Sequence, residues 1–266
     1  MTKRARIIAV ANQKGGVAKT TTAINLAASL ALAAQQVLLV DMDPQANLTS
    51  GLGLKGQAGP GGTTYDALTG DDARHGDRIV PTMIERLFVM PSDRNLTGAE
   101  IELVSLDQRE SRLRRVLEPL RPAFDYILID SPPSLGLLTL NALVAADRVL
   151  IPLNCEYFAL EGIADLVSTI KRVRGAFNPR LEIEGVLLTM NDERTNLGQQ
   201  VGANIREHFG DLVYETVIPR NVRLGEAPSH GLPVILYDAR SRGAEAYVAL
   251  AKEFLARQRS HSVSSF

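Results

Sequence analysis

The sequence predicts an α/β fold in which a doubly wound, mostly parallel sheet carries helices on both faces. Two observations favour this fold. Apolar runs of strand length alternate with longer segments of helical periodicity, and the first apolar run leads through a glycine loop straight into a helical segment. The 266 residues fit one such domain, since single domains reach roughly 250 residues before their cores tend to split. We therefore expect one domain over residues 1–259 and a frayed tail over residues 260–266.

The predicted strands are short apolar runs bounded by turn residues or by a change to helical spacing. They cover residues 7–11, 37–41, 87–90, 126–130, 148–152, 184–190 and 213–216. The predicted helices lie between them, over residues 20–34, 98–104, 110–117, 137–146, 161–175, 198–209 and 243–257. The glycine-rich stretch 51–62 predicts a surface loop and not a domain linker, because the alternation resumes on both sides of it.

Composition excludes several classes of protein. Hydrophobic residues make up 45% and charged residues 22%, which is ordinary for a folded domain, and a net charge of -1 gives no overall attraction to nucleic acid. A lone cysteine, Cys155, excludes a disulfide framework and an iron–sulfur cluster. The first apolar run is interrupted at Asn12 and Lys14, too early for a signal peptide or a membrane span of about 20 residues. We therefore predict a cytoplasmic protein.

A glycine loop follows the first predicted strand. It reads Asn-Gln-Lys-Gly-Gly-Val-Ala-Lys-Thr-Thr over residues 12–21, and a helical segment begins at its end. In such a loop the backbone N–H groups point at phosphate oxygens, and the helix N-terminus adds the positive end of its dipole. Lys19 would reach the β- and γ-phosphates, and Thr20 would offer its hydroxyl to Mg²⁺. The order of strand, loop and helix favours a nucleotide site over an ordinary glycine turn.

The loop departs from the common pattern G-x-x-x-x-G-K-[ST] at two positions, which hold Gln13 and Ala18. If position 18 requires a positive φ, an alanine there costs on the order of 1 kcal/mol, and its methyl group crowds the phosphates. We therefore expect nucleotide binding with reduced affinity or slow turnover.

Aspartates follow two of the apolar strands. Asp41 and Asp43 follow the second predicted strand, and Asp130 ends the fourth. Ligands of open α/β sheets bind at the carboxyl ends of the strands, and an apolar strand that delivers one carboxylate has the form of a Walker B motif. One such aspartate is often only a turn or cap residue. Three of them after a phosphate loop favour a magnesium site.

These motifs resemble those of the ParA/Soj chromosome-partitioning ATPases, which belong to the ParA/MinD family with its deviant Walker A loop K-G-G-x-G-K-T-T. The resemblance covers nearly the whole chain and is carried by residues 14–21, 41–47, 130–134, 139–142, 156–162, 189–191, 217–223 and 226–229. The family's loop needs no first glycine and opens with an extra lysine, which accounts for Gln13 and gives Lys14 a role. Ala18 departs even from the family's pattern.

The resemblance implies a P-loop NTPase fold and slow hydrolysis of ATP to ADP and phosphate with Mg²⁺ as cofactor. It implies that Asp43 orients or activates the attacking water, that Thr20 and Asp130 serve Mg²⁺, and that Asp41 supports the metal shell. Within an ATP-dependent homodimer, Lys14 would reach the partner's phosphates as an arginine finger does.

The resemblance also assigns the residues that contact the nucleotide. Lys14, Lys19 and Asp43 are the expected catalytic residues. Asn191, Pro219 and Asn221 would lie near the adenine base. The phosphates would be held by Lys14, Gly15, Gly16, Val17, Ala18, Lys19, Thr20 and Thr21.

Arg194, Arg220 and Arg223 are the candidate DNA-binding residues. Scattered arginines are usually solvated surface, but arginines on one face can bind phosphates without reading bases, and a dimer strengthens a weak patch. The resemblance implies non-specific double-stranded DNA and a ParB-like centromere-binding protein as partners, with nucleoid association. It leaves open whether the replicon served is a chromosome or a plasmid.

Two alternatives remain open at this point. A MinD-like membrane-associated ATPase would need an amphipathic C-terminal helix, and residues 258–266 have too small an apolar face for one. A nucleotide-gated DNA-binding module with negligible turnover would result if Ala18 displaces the γ-phosphate.

Overall fold

The computed structural model describes residues 4–71, 74–155, 159–191 and 196–263. Within these residues one sheet has the strand order β3-β4-β2-β5-β1-β6-β7. Every neighbouring pair is parallel except β3 with β4. The mostly parallel sheet confirms the predicted fold class. The strands are β1 (Arg6–Val10), β2 (Val37–Asp41), β3 (Val80–Pro81), β4 (Leu87–Met90), β5 (Tyr126–Asp130), β6 (Arg148–Asn154) and β7 (Glu182–Thr189).

Helices connect the strands and cover both faces of the sheet. The α-helices are α1 (Lys19–Leu32), α2 (Asn47–Gly51), α3 (Thr64–Thr69), α4 (Leu96–Glu102), α5 (Arg112–Leu117), α6 (Leu137–Ala145), α7 (Ala159–Ala176), α8 (Asn196–Phe209), α9 (Val222–Glu226), α10 (Val234–Tyr237) and α11 (Arg242–Val263). Short 3-10 turns cover His75–Arg78, Leu103–Ser105, Arg109–Ser111, Glu118–Ala123, Gly210–Leu212 and Ala227–His230. No helix in the described ranges has the length and apolarity to cross a bilayer.

The sheet divides the core into two hydrophobic clusters. In β1, Ile7 and Ala9 join the cluster under α4 to α8, while Ile8 and Val10 join the cluster under α1 and α11. Successive strand residues point to opposite faces, so a strand buried on both faces reads as a continuous apolar run. Burying each large apolar side chain stabilises the fold by about 1.5–3 kcal/mol. The carboxyl ends of the central strands are therefore held on a rigid support.

Most predicted elements agree with the structure, and β2, β4 and β5 agree to the residue. The predicted strand 213–216 is wrong, because Val213 makes only an isolated bridge to Val186. The Tyr214 N–H still donates to the Val186 carbonyl, but the N–H groups of Glu215 and Thr216 donate to the carboxylate of Glu253 in α11 at 2.9 Å each. A two-residue antiparallel edge strand, β3, escaped prediction.

The ends of the helices differ slightly from prediction. The last helix continues to Val263, whereas the periodicity predicted an end at residue 257. Fraying from residue 260 stays a prediction. The stretch 52–62 contains turns and one bridge between Gly59 and Gly62, as expected for a surface loop.

Candidate nucleotide site

Three adjacent strands bring the predicted site residues to one edge of the sheet. β5 lies between β1 and β2, and Asp130 pairs in register with Val10 on one side and Asp41 on the other. The phosphate loop continues from β1, so it begins beside both carboxylates. The site is thus assembled at the carboxyl edge of the sheet, where the sequence placed it.

The loop between β1 and α1 is fixed to the strands on its other side. The Asn12 side-chain amide donates to the Pro152 carbonyl in β6 at 2.8 Å, and its oxygen accepts from the Lys14 N–H at 3.0 Å. The Thr189 hydroxyl at the end of β7 donates to the Val17 carbonyl at 3.1 Å. The loop therefore keeps its shape through contacts with its own chain. Sequence reasoning assigned no part in this to Asn12 or Thr189.

Ala18 has φ 62° and ψ 34°, in the left-handed region, directly before the first residue of α1. The condition stated for this position is met, so the alanine costs on the order of 1 kcal/mol relative to a relaxed backbone. α1 has no acidic residue in its first turn and no side-chain cap. A helix that begins in this way offers N–H groups and the positive end of its dipole to an anion.

A cleft of about 650 Å³ opens over the loop, within the range of small-molecule sites. Six of its lining residues were predicted to contact nucleotide, and Asp43, the seventh predicted site residue in the lining, was predicted to handle the attacking water; the six are Gly15, Gly16, Ala18, Lys19, Thr20 and Thr21. Val17 is buried beneath the loop. The other lining residues were not predicted as ligands: Pro44, Gln45, Asn47, Thr97, Pro133 and Met190. Thr97 reaches the cleft from α4, and no local motif signals it.

Lys19 is the cation at the base of the cleft. Its side chain is almost fully buried, and its Nζ donates to the Lys14 carbonyl at 2.9 Å. Burial lowers the pKa of Lys19, while the carboxylates of Asp130 and Asp43 act in the opposite direction. The lysine charge therefore lies between the loop and the acidic strand ends.

Asp130 is fully buried, and within the described residues neither of its carboxylate oxygens accepts a hydrogen bond. Burial first, and then repulsion from Asp41, raise the pKa of Asp130 well above its usual range. The Thr20 hydroxyl, whose approach to Asp130 falls short of normal hydrogen-bond geometry, and the charge of Lys19 oppose the rise. A buried carboxylate without partners is costly unless a cation satisfies it. Carboxylate and hydroxyl oxygens are the donors that Mg²⁺ prefers. The residues present fit a magnesium ion.

The two candidate metal ligands at the cleft are both oxygens, the Thr20 hydroxyl and the Asp130 carboxylate. Mg²⁺ is commonly held by one or two protein oxygens together with substrate phosphates. These two residues therefore suit a metal that arrives with a nucleotide.

Asp41 is also fully buried, but its oxygens are engaged. Oδ2 accepts from the Thr49 hydroxyl at 2.7 Å and from the Thr49 N–H at 2.9 Å, and Oδ1 accepts from the Asp43 N–H at 3.1 Å. Burial raises the pKa of Asp41 to about 6, although the bonds from Thr49 lower it. These contacts hold the segment after β2, and a direct role of Asp41 in the metal shell stays a prediction.

The predicted adenine residues lie in two chain segments that a backbone bridge joins beside the cleft. Asn191 forms a parallel bridge with Pro219, adjacent to Met190, which lines the cleft. The side chain of Asn221 caps α9 by accepting from the Arg223 N–H at 2.8 Å. The structure brings these residues together, and their contact with adenine stays a prediction.

The basic residues next to this segment are on the surface. Arg220 and Arg223 are exposed, and Arg223 forms ion pairs with Glu226 at 2.7 Å and Asp238 at 3.3 Å. Arg194 lies outside the described residues. The structure thus places two of the three DNA-binding candidates beside the segment that borders the nucleotide cleft.

A phosphate loop between β1 and α1, with a buried strand-end aspartate on the neighbouring β5, defines a P-loop NTPase of the α/β class. A family model for an AAA domain matches residues 5–183. The chain is 58% identical to the sporulation initiation inhibitor protein Soj of Bacillus subtilis, over 94% of this chain and 98% of that protein. It is 57% identical to the chromosome partitioning protein ParA of Myxococcus xanthus, over 95% of this chain and 88% of that protein. The chain therefore belongs to the ParA/Soj family of chromosome-partitioning ATPases.

A solved structure supports the same fold. Cobyrinic acid a,c-diamide synthase from Mycobacterium smegmatis, crystallised with ADP and magnesium, matches with a TM-score of 0.82 and 37% identity, covering 97% of this chain and 96% of that chain. The likeness covers nearly the full length of both chains.

Proposed function

We propose that this chain is a DNA-segregation ATPase that dimerises with ATP, binds double-stranded DNA without sequence preference, and releases it when a ParB-like partner stimulates hydrolysis. The observation that carries the proposal is Asp130, a buried carboxylate without a hydrogen-bond partner among the described residues, beside a phosphate loop. Such a group is stabilised when a metal-bound nucleotide completes its surroundings. Nucleotide occupancy can therefore act as a switch.

The residues divide the chemistry between them. The loop N–H groups and Lys19 bind the phosphates, and Thr20 and Asp130 would hold Mg²⁺, which neutralises charge on the β- and γ-phosphate oxygens when it is bound. Asp43 lines the cleft and is the residue that orients the attacking water. The relative from M. smegmatis that was crystallised with ADP and magnesium supports this choice of ligands.

A dimer accounts for Lys14. Lys14 is half-buried at the start of the loop, beside Gly15 and Gly16, which line the cleft. A lysine at this end of the loop can serve the cleft of a second protomer and stabilise charge there. Hydrolysis then requires pairing, and the dimer presents two basic surfaces instead of one.

The bridge between Asn191 and Pro219 supports coupling of the nucleotide to DNA. Met190 lines the cleft, and on the other strand of the bridge Arg220 follows Pro219 on the surface. With a net charge of -1, the chain must bind a polyanion through a local patch. Arg220, Arg223 and Arg194 are the residues that we assign to this patch.

DNA binding in different nucleotide states tests the proposal. Affinity for duplex DNA of random sequence is measured with ADP, ATP or a non-hydrolysable ATP analogue across a salt series. We expect binding with ATP and the analogue only, weakening as salt rises because counterions are released. Arg223→Glu should retain the ATP-dependent dimer and lower the salt slope by about 1 per protomer.

Arg86→Glu is the matched control, since Arg86 is similarly exposed at 42% against 49% for Arg223, and lies immediately before β4. Equal DNA binding with ADP and ATP would contradict the proposal. So would equal losses in the two charge-reversed variants, because the surface would then act only through net charge.

A second candidate, the nucleotide-gated DNA module with negligible turnover, is favoured by the left-handed Ala18. Measuring phosphate release with and without DNA separates it from an active ATPase. Flotation with liposomes in the presence of ATP tests the MinD-like alternative. The cytoplasmic and nucleoid location stays a prediction that fluorescence microscopy of a tagged chain can test.

A further inference from the structure

Four residues around the backbone of Asp43 form a closed hydrogen-bonded ring. Asp41 accepts from the Asp43 N–H at 3.1 Å and from the Thr49 hydroxyl at 2.7 Å. The Thr49 hydroxyl accepts from the Ser92 N–H at 3.0 Å, and the Ser92 hydroxyl donates to the Asp43 carbonyl at 2.9 Å. We refer to Asp41, Asp43, Thr49 and Ser92 as the switch ring.

The switch ring joins three separate parts of the fold. Asp41 ends β2, Thr49 lies in α2, and Ser92 follows the end of β4. Thr49 is 1% exposed and Ser92 4% exposed. Buried hydrogen bonds of this kind are protected from competition with water. The N–H and the C=O of Asp43 are therefore both tied to rigid elements.

The carboxylate of Asp43 is tied to that backbone in turn. Its Oδ1 accepts from the Gln45 N–H at 2.9 Å, and the Ala46 N–H donates to the Asp43 carbonyl at 2.9 Å, which closes a tight turn. A displacement of the Asp43 backbone is consequently passed to its carboxylate. The position of the carboxylate in the cleft depends on residues that do not line the cleft.

We propose that Thr49 and Ser92 are positioning residues that set the place of the Asp43 carboxylate for hydrolysis. This inference rests on the water-orienting role proposed for Asp43. A displacement of about 1 Å in a catalytic group can cost on the order of a hundredfold in rate. Loss of one bond of the ring lowers kcat while leaving the phosphate loop, and with it ATP affinity, unchanged.

The test uses Thr49→Val, which keeps the shape and removes the hydroxyl, and Ser92→Ala. We expect each to lower kcat for ATP by about tenfold or more, with the Kd for Mg·ATP within twofold of the parent protein. Thr49→Ser restores the hydroxyl and should recover most of kcat. Ser29→Ala is the matched control, because Ser29 is buried like Ser92, at 6% exposed against 4%, and its hydroxyl donates to the Asn25 carbonyl within α1.

A second measurement needs neither nucleotide nor turnover. Amide hydrogen exchange in the nucleotide-free protein should become faster at Ser92 in Thr49→Val, because its N–H loses its acceptor. Exchange at Asp43 should also rise in both ring variants, and Ser29→Ala should leave both amides unchanged. Unchanged exchange at both amides in the ring variants would overturn the inference even if hydrolysis fell.

Asp43→Ala separates this inference from the proposed function. If Asp43→Ala abolishes hydrolysis but Thr49→Val and Ser92→Ala hydrolyse ATP at the parent rate, the positioning role is wrong and the function stands. If Asp43→Ala hydrolyses ATP normally, the premise fails and the inference fails with it. A fall in kcat matched by an equal loss of ATP affinity, or not rescued by Thr49→Ser, shows a structural defect and also overturns the positioning role.

Discussion

The two ends of the parallel strands, called here the amino edge and the carboxyl edge, surround their carboxylates differently. At the amino edge, the Asp147 carboxylate, which is 36% exposed, accepts from both terminal nitrogens of the buried Arg121, at 2.7 and 2.9 Å. Glu184, fully buried at the same edge, accepts from Tyr214 at 3.2 Å and from Arg148 at 3.3 Å. At the carboxyl edge, Asp130 is equally buried, and the described residues supply no hydrogen bond to it.

This difference indicates a structural role for the amino edge and a binding role for the carboxyl edge. A buried charge is costly, and a protein that uses it only for structure supplies its partners from the chain itself. A buried charge left without such partners indicates a site completed by something else, and perturbed carboxylates cluster at functional sites for this reason. The carboxylates at the amino edge stabilise the folded domain. At the carboxyl edge, burial of Asp130 costs free energy, and a bound metal nucleotide can offset that cost.

The largest expected effect comes from exchanging one carboxylate at each edge for its amide. Asp130→Asn should weaken magnesium-dependent ATP binding on the order of a hundredfold, since it removes the charge of a proposed Mg²⁺ ligand. Without nucleotide the variant should be no less stable, because the lost carboxylate had no hydrogen bond to lose. Calorimetric titration with Mg·ATP and urea unfolding measure the two effects.

Asp147→Asn is the counterpart and should give the reverse result. It leaves the buried Arg121 with weaker partners, which costs about 2 kcal/mol of unfolding free energy after allowance for the exposed part of Asp147. ATP affinity should not change. If Asp130→Asn instead destabilises the free protein as much as Asp147→Asn does, the contrast between the edges is wrong.

The pH dependence of stability gives the next effect. The folded-state pKa of Asp41, about 6, lies above the ordinary 3.8, so the folded protein binds the extra proton. Protonated Asp41 therefore adds to the free energy of unfolding at low pH, and this contribution is lost as the pH rises from 3.8 to about 6. The contribution of Asp41 falls by about 1.4 kcal/mol between pH 5 and pH 7, because one pH unit of differential protonation is worth about that much.

Urea unfolding of the metal-free protein and of Asp41→Asn at pH 5, 6 and 7 measures this contribution as a difference. Burial raises the pKa of Asp130 in both proteins, and Asp41→Asn removes the repulsion from Asp41 that adds to this rise. Both changes act in the same direction. The stability of Asp41→Asn should therefore fall less steeply with pH. Parallel curves would show that Asp41 is not protonated in this range.

A smaller change in stability is expected from backbone strain in the phosphate loop, where substitutions at two positions should act in opposite directions. Ala18 and Gly16 both have positive φ, 62° and 71°. Ala18→Gly should stabilise the free protein by about 1 kcal/mol, and Gly16→Ala should destabilise it by about the same amount. Nothing lies within 4 Å of a methyl group at position 16, so backbone strain alone accounts for the second effect.

Thermal unfolding and single-turnover hydrolysis of both variants measure the strain and its functional cost. Faster hydrolysis in Ala18→Gly would show that the alanine slows this ATPase. If Ala18→Gly lowers stability instead, the left-handed conformation at this position is not strained.

The sequence predicted those parts of the molecule that depend on local pattern. β2 and β5 were predicted to the residue because each apolar run ends at a carboxylate, and the phosphate loop was predicted because strand, glycines and helix are contiguous. The predicted strand 213–216 was wrong because Glu253, distant in sequence, accepts hydrogen bonds from two of its N–H groups, those of Glu215 and Thr216.

The site residues that come from separate elements could not be predicted from local pattern. Thr97 reaches the cleft from α4, and Ser92 meets Thr49 and Asp43 only because β4 pairs with β2. None of these residues stands in a pattern that distinguishes it from an ordinary helix or turn residue. Contacts between separate elements depend on the register of the sheet, which periodicity does not report.

The smallest expected effect concerns ion pairs on the surface, to which the contrast between the two edges does not extend. Arg223 is paired, yet we assign it to DNA, so pairing alone cannot mark a residue as structural. Its pairs with Glu226 and Asp238 are on the surface, where ion pairs contribute little and are screened by salt. Phosphate can therefore displace them.

Glu226→Gln should raise DNA affinity about twofold at low salt, and the gain should vanish at high salt. Fluorescence anisotropy of labelled duplex DNA with the non-hydrolysable analogue measures this, and Glu85→Gln, next to Arg86 before β4, controls for net charge. An unchanged affinity in Glu226→Gln would show that this pair does not compete with DNA for Arg223.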